Sequence, residues 1–285
     1  MLVIRIDVGE MNSLKLLEEC AAEIRRKIIP LVGTAEAAKT YGRGAGGDLT
    51  KEIDLRAEKT LIEKIMDNGI SCTIISEEKG TIKVGSEPEN LYLICDPLDG
   101  TTNAIHGIPF FATSIALAKK PFLSQVESAL VMDIVRGIVY TAEKGRGAYK
   151  NDEKITSSQN IDFENSVIGV DVNTYKSSNS EMHRKITKIL ALNKHPRYFG
   201  ANALQLCYVA DGTSDAFIDI RRKMRVIDMA AAYLIVKEAG GIITTPKGEK
   251  LEAEVTPQRR VSIIASGNKR LHEEILRLIN EDDHD

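Results

Sequence analysis

DPLDGTTN, residues 96–103, sets two carboxylates, Asp96 and Asp99, three positions apart on a turn shaped by proline and glycine. That spacing lets both acids face one ion. Taken alone, the octapeptide is also ordinary turn chemistry, because Asp-Pro and Asp-Gly are common in loops. Its neighbours change the reading. LYLIC reads as a buried strand that ends at Asp96, and ISCTIIS reads as a second strand that ends at Glu77, with Glu78 beside it. Acids gathered at adjacent strand ends repel one another unless a cation or a proton stands between them. No histidine and no CxxC pair accompanies these acids, so a hard divalent cation, magnesium or manganese, is favoured over zinc.

Upstream, Leu14, Leu17, Ala21, Ile24 and Ile28 recur at helical spacing, which predicts a helix capped by Asn12 or Ser13 and ended by Pro30 and Gly33. The glycine cluster in YGRGAGGDLTKEIDLRAE predicts a mobile loop. Ile53, Ala57, Leu61 and Ile65 then predict a second amphipathic helix from about 50 to 66, with Asp54 in its first turns. Downstream, 113–118, 129–133 and 136–140 read as successive strands, and EKGRGAYKNDEKI supplies hairpin turns. Beyond the polar SSQNIDFEN, helices and strands alternate. They are a strand at 167–170, helices around 181–192 and from about 203, the strand AFIDI, a helix over 228–239 and the strand GGIIT. The division predicts an N-terminal α+β part, 1–165, with most of the acids, and a C-terminal α/β part, 166–285, with the remainder.

The 285 residues suffice for one large core or two smaller ones around a cleft. With 38 Lys and Arg against 41 Asp and Glu, no global field draws the chain to nucleic acid or to an anionic membrane, so anionic ligands must be met locally. Cys20, Cys72, Cys95 and Cys207 lie far apart, as expected of reduced thiols in a cytoplasmic protein. The opening MLVIRIDVGE is too short and too charged for a signal peptide, and no later apolar run is long enough to span a bilayer.

Four segments, GDLTKEID at 47–54, SEEKG at 76–80, DPLDGTTN at 96–103 and VIDMAAAYLIVKEAGG at 226–241, together resemble the inositol monophosphatase and fructose-1,6-bisphosphatase superfamily, in its order and at its spacing. The resemblance implies an α+β fold, a layered αβαβα sandwich of the sugar phosphatase type. It implies Glu77, Asp96, Asp99 and Asp228 as metal-binding carboxylates, with the carbonyl of Leu98 completing one shell, and two or three Mg2+ ions per site, or Mn2+ in their place. Asp54, Glu77 and Thr101 would be catalytic, Asp54 and Thr101 orienting and deprotonating the attacking water. Read without the resemblance, Asp54 is a first-turn acid that complements a helix dipole, and Asp228 is a helix N-cap.

Asp99 and the backbone of Gly100 and Thr101 would meet the phosphate if a helix starts there. DIRRKMRVID, with Arg221, Arg222, Lys223 and Arg225, is either a local cationic site or a solvated strand edge. By resemblance to the archaeal dual-activity enzymes, Gly200, Gln205 and Lys223 line the substrate pocket, with Arg197, Tyr198 and Arg221 as neighbours; relatives can carry an acid at the Gln205 position. The expected substrate is a small sugar or cyclitol phosphate, fructose 1,6-bisphosphate or inositol 1-phosphate, and the expected assembly is a homodimer. Two rivals remain at this point: a phosphatase of 3′-phosphoadenosine 5′-phosphate or NADP, and a non-catalytic sugar-phosphate sensor.

Overall fold

A computed structural model of the chain describes residues 13–86 and 90–281; MLVIRIDVGE and the cap candidate Asn12 lie outside the described residues. In chain order, the first part contains α1 (Ser13–Ile28), β1 (Thr40–Arg43), β2 (Leu49–Lys51), α2 (Glu52–Asp67), β3 (Cys72–Ser76), β4 (Thr81–Val84), β5 (Tyr92–Asp99) and α3 (Thr101–His106). Then follow β6 (Ala112–Ala118), β7 (Val126–Asp133), β8 (Ile138–Glu143), β9 (Gly147–Lys150) and β10 (Glu153–Ile155). The remainder contains β11 (Val167–Val170), α4 (Ser180–Leu192), β12 (His195–Arg197), α5 (Asn202–Ala210), β13 (Ala216–Arg225), α6 (Val226–Glu238), β14 (Ile242–Thr244), β15 (Arg260–Ser266) and α7 (Lys269–Asn280).

These elements stack as the layered αβαβα sandwich. Helices α1 and α2 bury the predicted apolar stripes, Leu17, Ala21, Ile24 and Ile28 on one and Ile53, Ala57, Leu61 and Ile65 on the other. They pack against an eight-stranded sheet of order β10-β9-β8-β7-β6-β5-β3-β4. Its other face meets α5 and α6, which also pack on a five-stranded sheet of order β12-β11-β13-β15-β14. Helices α4 and α7 lie together, with α7 against β15, as the last layer. A central helix with sheet on both sides has no solvent face to keep polar, and every α6 residue from Val226 to Val236 is buried. Each of its large aliphatic side chains contributes about 1.5–3 kcal/mol by leaving water.

The structure departs from the sequence reading at several places, and EKGRGAYKNDEKI, read as hairpin turns, also carries the short strands β9 and β10. The glycine-rich loop is a hairpin in which β1 pairs with β2, and its tip is docked: Ala45 N donates to Glu78 O at 2.9 Å and Gly46 N donates to Glu77 O at 2.8 Å. AFIDI is only the start of a strand that runs on to Arg225 through an irregularity between Asp219 and Met224. Strand β15 and helix α7, unread in the sequence, complete the second sheet and the outer layer.

Gly100 ties the turn to the packing around it. It sits at φ +93° as the residue before α3, where a Cβ atom would lie 3.0 Å from Ala201 Cβ and 3.1 Å from Phe111 Cβ. A left-handed non-glycine residue costs about 1–2 kcal/mol, and overpacking adds about 1–3 kcal/mol. Gly100→Ala is therefore expected to lower unfolding free energy by about 2–4 kcal/mol in urea denaturation; a loss under about 1 kcal/mol, the size of an average substitution, contradicts this packing.

Candidate active site

Strands β3 and β5 run parallel, with Ser76 opposite Cys95, so the following residues stand side by side, Glu77 just past the end of β3 and Asp96 within β5, where it still pairs with Ser114 of β6. Asp228 reaches them from the first turn of α6, one layer away. Oxygens of Glu77, Asp96 and Asp228 lie within 4.8 Å of one another. Asp96 and Asp228 are buried, and the Glu77 side chain is only 13% exposed. Asp228 is the third residue of its helix; Arg225, not Asp228, occupies the N-cap position expected for the aspartate.

The turn between the two acids of DPLDGTTN separates their tasks. Leu98 N donates to Asp96 Oδ1 at 3.1 Å, which orients that carboxylate. Asp99, implied above as both ligand and phosphate contact, accepts from Asn202 N at 3.1 Å and Ala203 N at 2.7 Å, the first residues of α5. It stands outside the three-acid group, bound to a helix N-terminus that favours its charge. Thr101 opens α3, as expected, and its Oγ1 lies 2.7 Å from Asp54 Oδ1 and 3.2 Å from Leu98 O. Asp54 Oδ2 accepts from Lys51 N at 3.1 Å, so this acid both caps α2 and holds the Thr101 hydroxyl.

Burial pushes these acids up. Desolvation raises Asp54 to about 7, against the hydrogen bond from Thr101, and raises Asp99 to about 7, with the Asp228 charge adding to it. Glu77 and Asp96 are held well above the carboxylate range, first by desolvation and then by the Asp228 charge, with Arg225 opposing both; Glu78 and Asp54 add to the rise of Glu77, and Glu77 and Asp99 to that of Asp96. Asp228 is raised by desolvation although Arg225 opposes it.

Arg225 is a residue whose role the sequence reading did not separate from its charged neighbours. Its Nε lies 3.0 and 3.1 Å from the two oxygens of Asp228, and its terminal nitrogen meets Glu77 in a close ion pair and Asp48 at 2.9 Å. Desolvation alone would lower this guanidinium, but Asp228, Glu77 and Asp96 outweigh it and raise it. Glu58 was missed as well. It is fully buried, accepts from Ser76 Oγ and from Lys79 N at 3.0 Å, and so fixes the turn that carries Glu77. Its only signal in the sequence is an acid on the apolar face of α2. Glu78 is engaged by the Thr50 hydroxyl.

The remaining substrate candidates divide. Gly200 lies against Asn103, whose amide donates to Phe110 O and Phe199 O, both at 2.7 Å, which joins the β12–α5 loop to α3. Arg221 is buried between Asp171 and Asp219, donating to Asp219 through Nε at 2.9 Å and through a terminal nitrogen at 2.6 Å. Lys223 Nζ donates to the carbonyls of Asn173 and Tyr175 at 3.1 and 3.0 Å. Gln205 is buried against Gly169, with neither amide atom hydrogen-bonded to protein, and Arg197 is exposed. DIRRKMR is thus neither one cationic patch nor a plain solvated edge, because its members serve different partners.

The donor set suits a hard divalent cation. Three ionised carboxylates with one guanidinium leave a residual charge near −2 in a buried site, and all ligand atoms are oxygen. All four cysteines are free, buried thiols.

Comparison with known proteins points to one family. Residues 13–284 match the sequence profile described as the inositol monophosphatase family. A fructose-1,6-bisphosphatase/inositol-1-monophosphatase of Methanothermobacter thermautotrophicus is 36% identical over 267 residues, covering 91% of this chain and 93% of that protein. A bifunctional NADP phosphatase/NAD kinase of Methanococcus maripaludis is 32% identical; it matches 93% of this chain, which spans 49% of its length. A solved structure described as an inositol monophosphatase–fructose 1,6-bisphosphatase superposes with a TM-score of 0.82 at 32% identity, covering 94% of this chain and all of that one.

Between roughly pH 4, where free aspartates titrate, and about pH 7, the folded chain binds more protons than the unfolded one through Asp54 and Asp99. The stability from these protons is complete below the unfolded pKa and is lost as pH rises through the folded one. With chelator present, the melting temperature is expected to fall by several degrees from about pH 5 to about pH 8, and Mg2+ should restore more of it at the higher pH. A chelated chain that gains stability over that interval, or equal Mg2+ stabilisation at both ends, contradicts the charge balance described here.

Proposed function

The chain belongs to the inositol monophosphatase family, and on that premise we propose that it is a phosphatase that hydrolyses small sugar or cyclitol phosphate monoesters, fructose 1,6-bisphosphate and inositol 1-phosphate among them. Mg2+ is the proposed cofactor, Mn2+ its substitute, at two or three ions per site. The observation that carries this reading is the 2.7 Å contact between Asp54 and Thr101 beside three converging carboxylates. Glu77, Asp96 and Asp228 would hold the ions, with Asp99 and the carbonyl of Leu98 at the edge of the group. Bound there, divalent ions would lower the pKa of water and neutralise phosphoryl and leaving-group oxygens.

The chain's own part is to hold and move the proton. Thr101 donates its hydroxyl proton to Asp54 and is left with lone pairs to accept one from water, so the attacking water is oriented and its proton has a path to a carboxylate. The burial that raises the Asp54 carboxyl makes it a better proton acceptor than an exposed aspartate. Water adds to phosphorus as it gives one proton through Thr101 to Asp54, the bond to the leaving oxygen breaks, and the alkoxide takes up one proton from solvent water and departs as the alcohol. Gly100 and Thr101 lie at the start of α3, where first-turn N–H groups have no intrahelical acceptor and suit a phosphate. Lys223 and the loop around Gly200 would face the rest of the substrate. In the division of the chain, 1–165 would supply most ion ligands and 166–285 would supply Asp228 and the pocket. A cytoplasmic homodimer is the proposed form, with no nucleic-acid or membrane partner; no helix among the described residues is long and apolar enough to cross a membrane.

One observation supports a nucleotide phosphate as a second reading. Tyr175 and Tyr198, which follow β11 and β12 at the carboxyl ends of parallel strands, are 75% and 49% exposed and are suited to stacking on a base. The sensor reading has less support, since its expected mark is a broken ligand set and all of the acids are present.

The test is phosphate release with Mg2+ from fructose 1,6-bisphosphate, inositol 1-phosphate, NADP and 3′-phosphoadenosine 5′-phosphate. Asp96→Asn should abolish release from the preferred substrates, and Thr101→Ala should lower kcat by about 10²–10⁴-fold, the usual worth of positioned proton transfer. Release that persists in Asp96→Asn, or that ignores Mg2+, overturns the reading; preference for a nucleotide selects the second one.

A further inference from the structure

Arg225 joins two things that the proposed chemistry keeps apart. On one side it holds Glu77 and both oxygens of Asp228. On the other it holds Asp48, whose side chain is 70% exposed, in the 44–48 loop that joins β1 to β2. Gly46 in the hairpin tip packs against both Arg225 and Glu77: a Cβ atom there would come within 3.1 Å of Arg225 Nη1 and of Glu77 Cγ. Arg260 adds a second tie, donating to Gly46 O at 2.7 Å. The guanidinium is therefore in the middle of a short chain of contacts running from Asp228 through Glu77 to the hairpin.

Because Nε is shared between the two Asp228 oxygens and a terminal nitrogen faces Glu77, the cation of Arg225 takes up lone pairs on two of the three acids that converge. We propose that Arg225 competes with a divalent cation for Glu77 and Asp228 and, through Asp48, latches the hairpin onto the carboxylate group. It is a positioning residue: it acts on the ligands and on the hairpin and need touch no substrate. The inference rests on the divalent-cation reading above. Two of its consequences are independent of turnover. Removing the charge should strengthen cation binding, since one positive neighbour is lost from a buried site where charges interact strongly. Removing the Arg225–Asp48 pair should loosen the hairpin, because among the described residues Arg225 is the ion-pair partner of Asp48.

The experiment uses the full chain, treated with chelator, in five forms: wild type, Arg225→Gln, Arg225→Lys, Asp48→Asn and the double variant Arg225→Gln/Asp48→Asn. Mn2+ alone is titrated and followed by electron paramagnetic resonance, and amide hydrogen exchange is read over residues 44–48 without metal. Arg225→Gln should bind Mn2+ about tenfold tighter or more. Arg225→Lys keeps the charge without the bridging fork and should stay within a few-fold of wild type in affinity. Both should exchange about tenfold faster at 44–48. Asp48→Asn, an exposed change that spares the fold, should speed exchange in the wild-type background and add nothing to it in Arg225→Gln.

Weaker Mn2+ binding in Arg225→Gln would mean that the guanidinium orients the ligands and does not compete, which overturns the proposal. So would hairpin exchange that is unchanged in both Asp48→Asn and Arg225→Lys. Wild-type chain that binds no Mn2+ removes the premise together with the inference, whereas binding by wild type with no response to Arg225 removes the inference alone.

Discussion

Everything in this molecule that bears on function follows from packing Glu77, Asp96 and Asp228 within reach of one another in a nearly dry site. A carboxylate taken out of water costs several kcal/mol, and like charges at this range raise the cost further. One guanidinium offsets part of it. The remainder appears as acids held well above their ordinary range, a condition that a divalent cation relieves and that an apolar replacement would also relieve, at the loss of the site. A fold selected for stability alone has no reason to keep this arrangement.

The layering exists in the service of that convergence. Two parallel strands set Glu77 and Asp96 side by side, and the wholly buried α6 brings Asp228 across from the layer beneath. The bulge between Asp96 and Asp99 lets one acid stay with the group while the other binds the N-terminus of α5, which couples the first sheet to the second part of the chain. Asp54 and Thr101 meet because α2 and α3 both begin at this point. The site is thus a junction of element ends, where backbone groups are unsatisfied and side chains can be aimed.

Much of this was legible in the sequence, for reasons that also mark the limits. The period of 3.6 gave α1 and α2, which bury one face, and apolar runs between turn residues gave α6 and the strands from β5 to β8, whereas β9 and β10 were read as hairpin turns. The resemblance carried by four short motifs gave the layered fold and named the three acids that converge. The β1–β2 hairpin was read as a loop because its glycines carry no alternation; it is held by backbone bonds to Glu77 and Glu78, which leave no trace in side-chain pattern. Arg225 was hidden in a run of cations, and only tertiary geometry separates it from Arg221, which is spent on Asp171 and Asp219, and from Lys223, which is spent on carbonyls. Gln205 turned inward because α5 is buried on all sides, a property of the layers above and below it.

The most direct test of the central claim is anomalous diffraction from crystals grown with Mn2+. The account predicts a strong manganese peak within coordinating distance, roughly 2.0–2.2 Å, of oxygens from Glu77, Asp96 and Asp228. Crystals with no peak among these three acids, or with manganese bound only elsewhere on the chain, would contradict it.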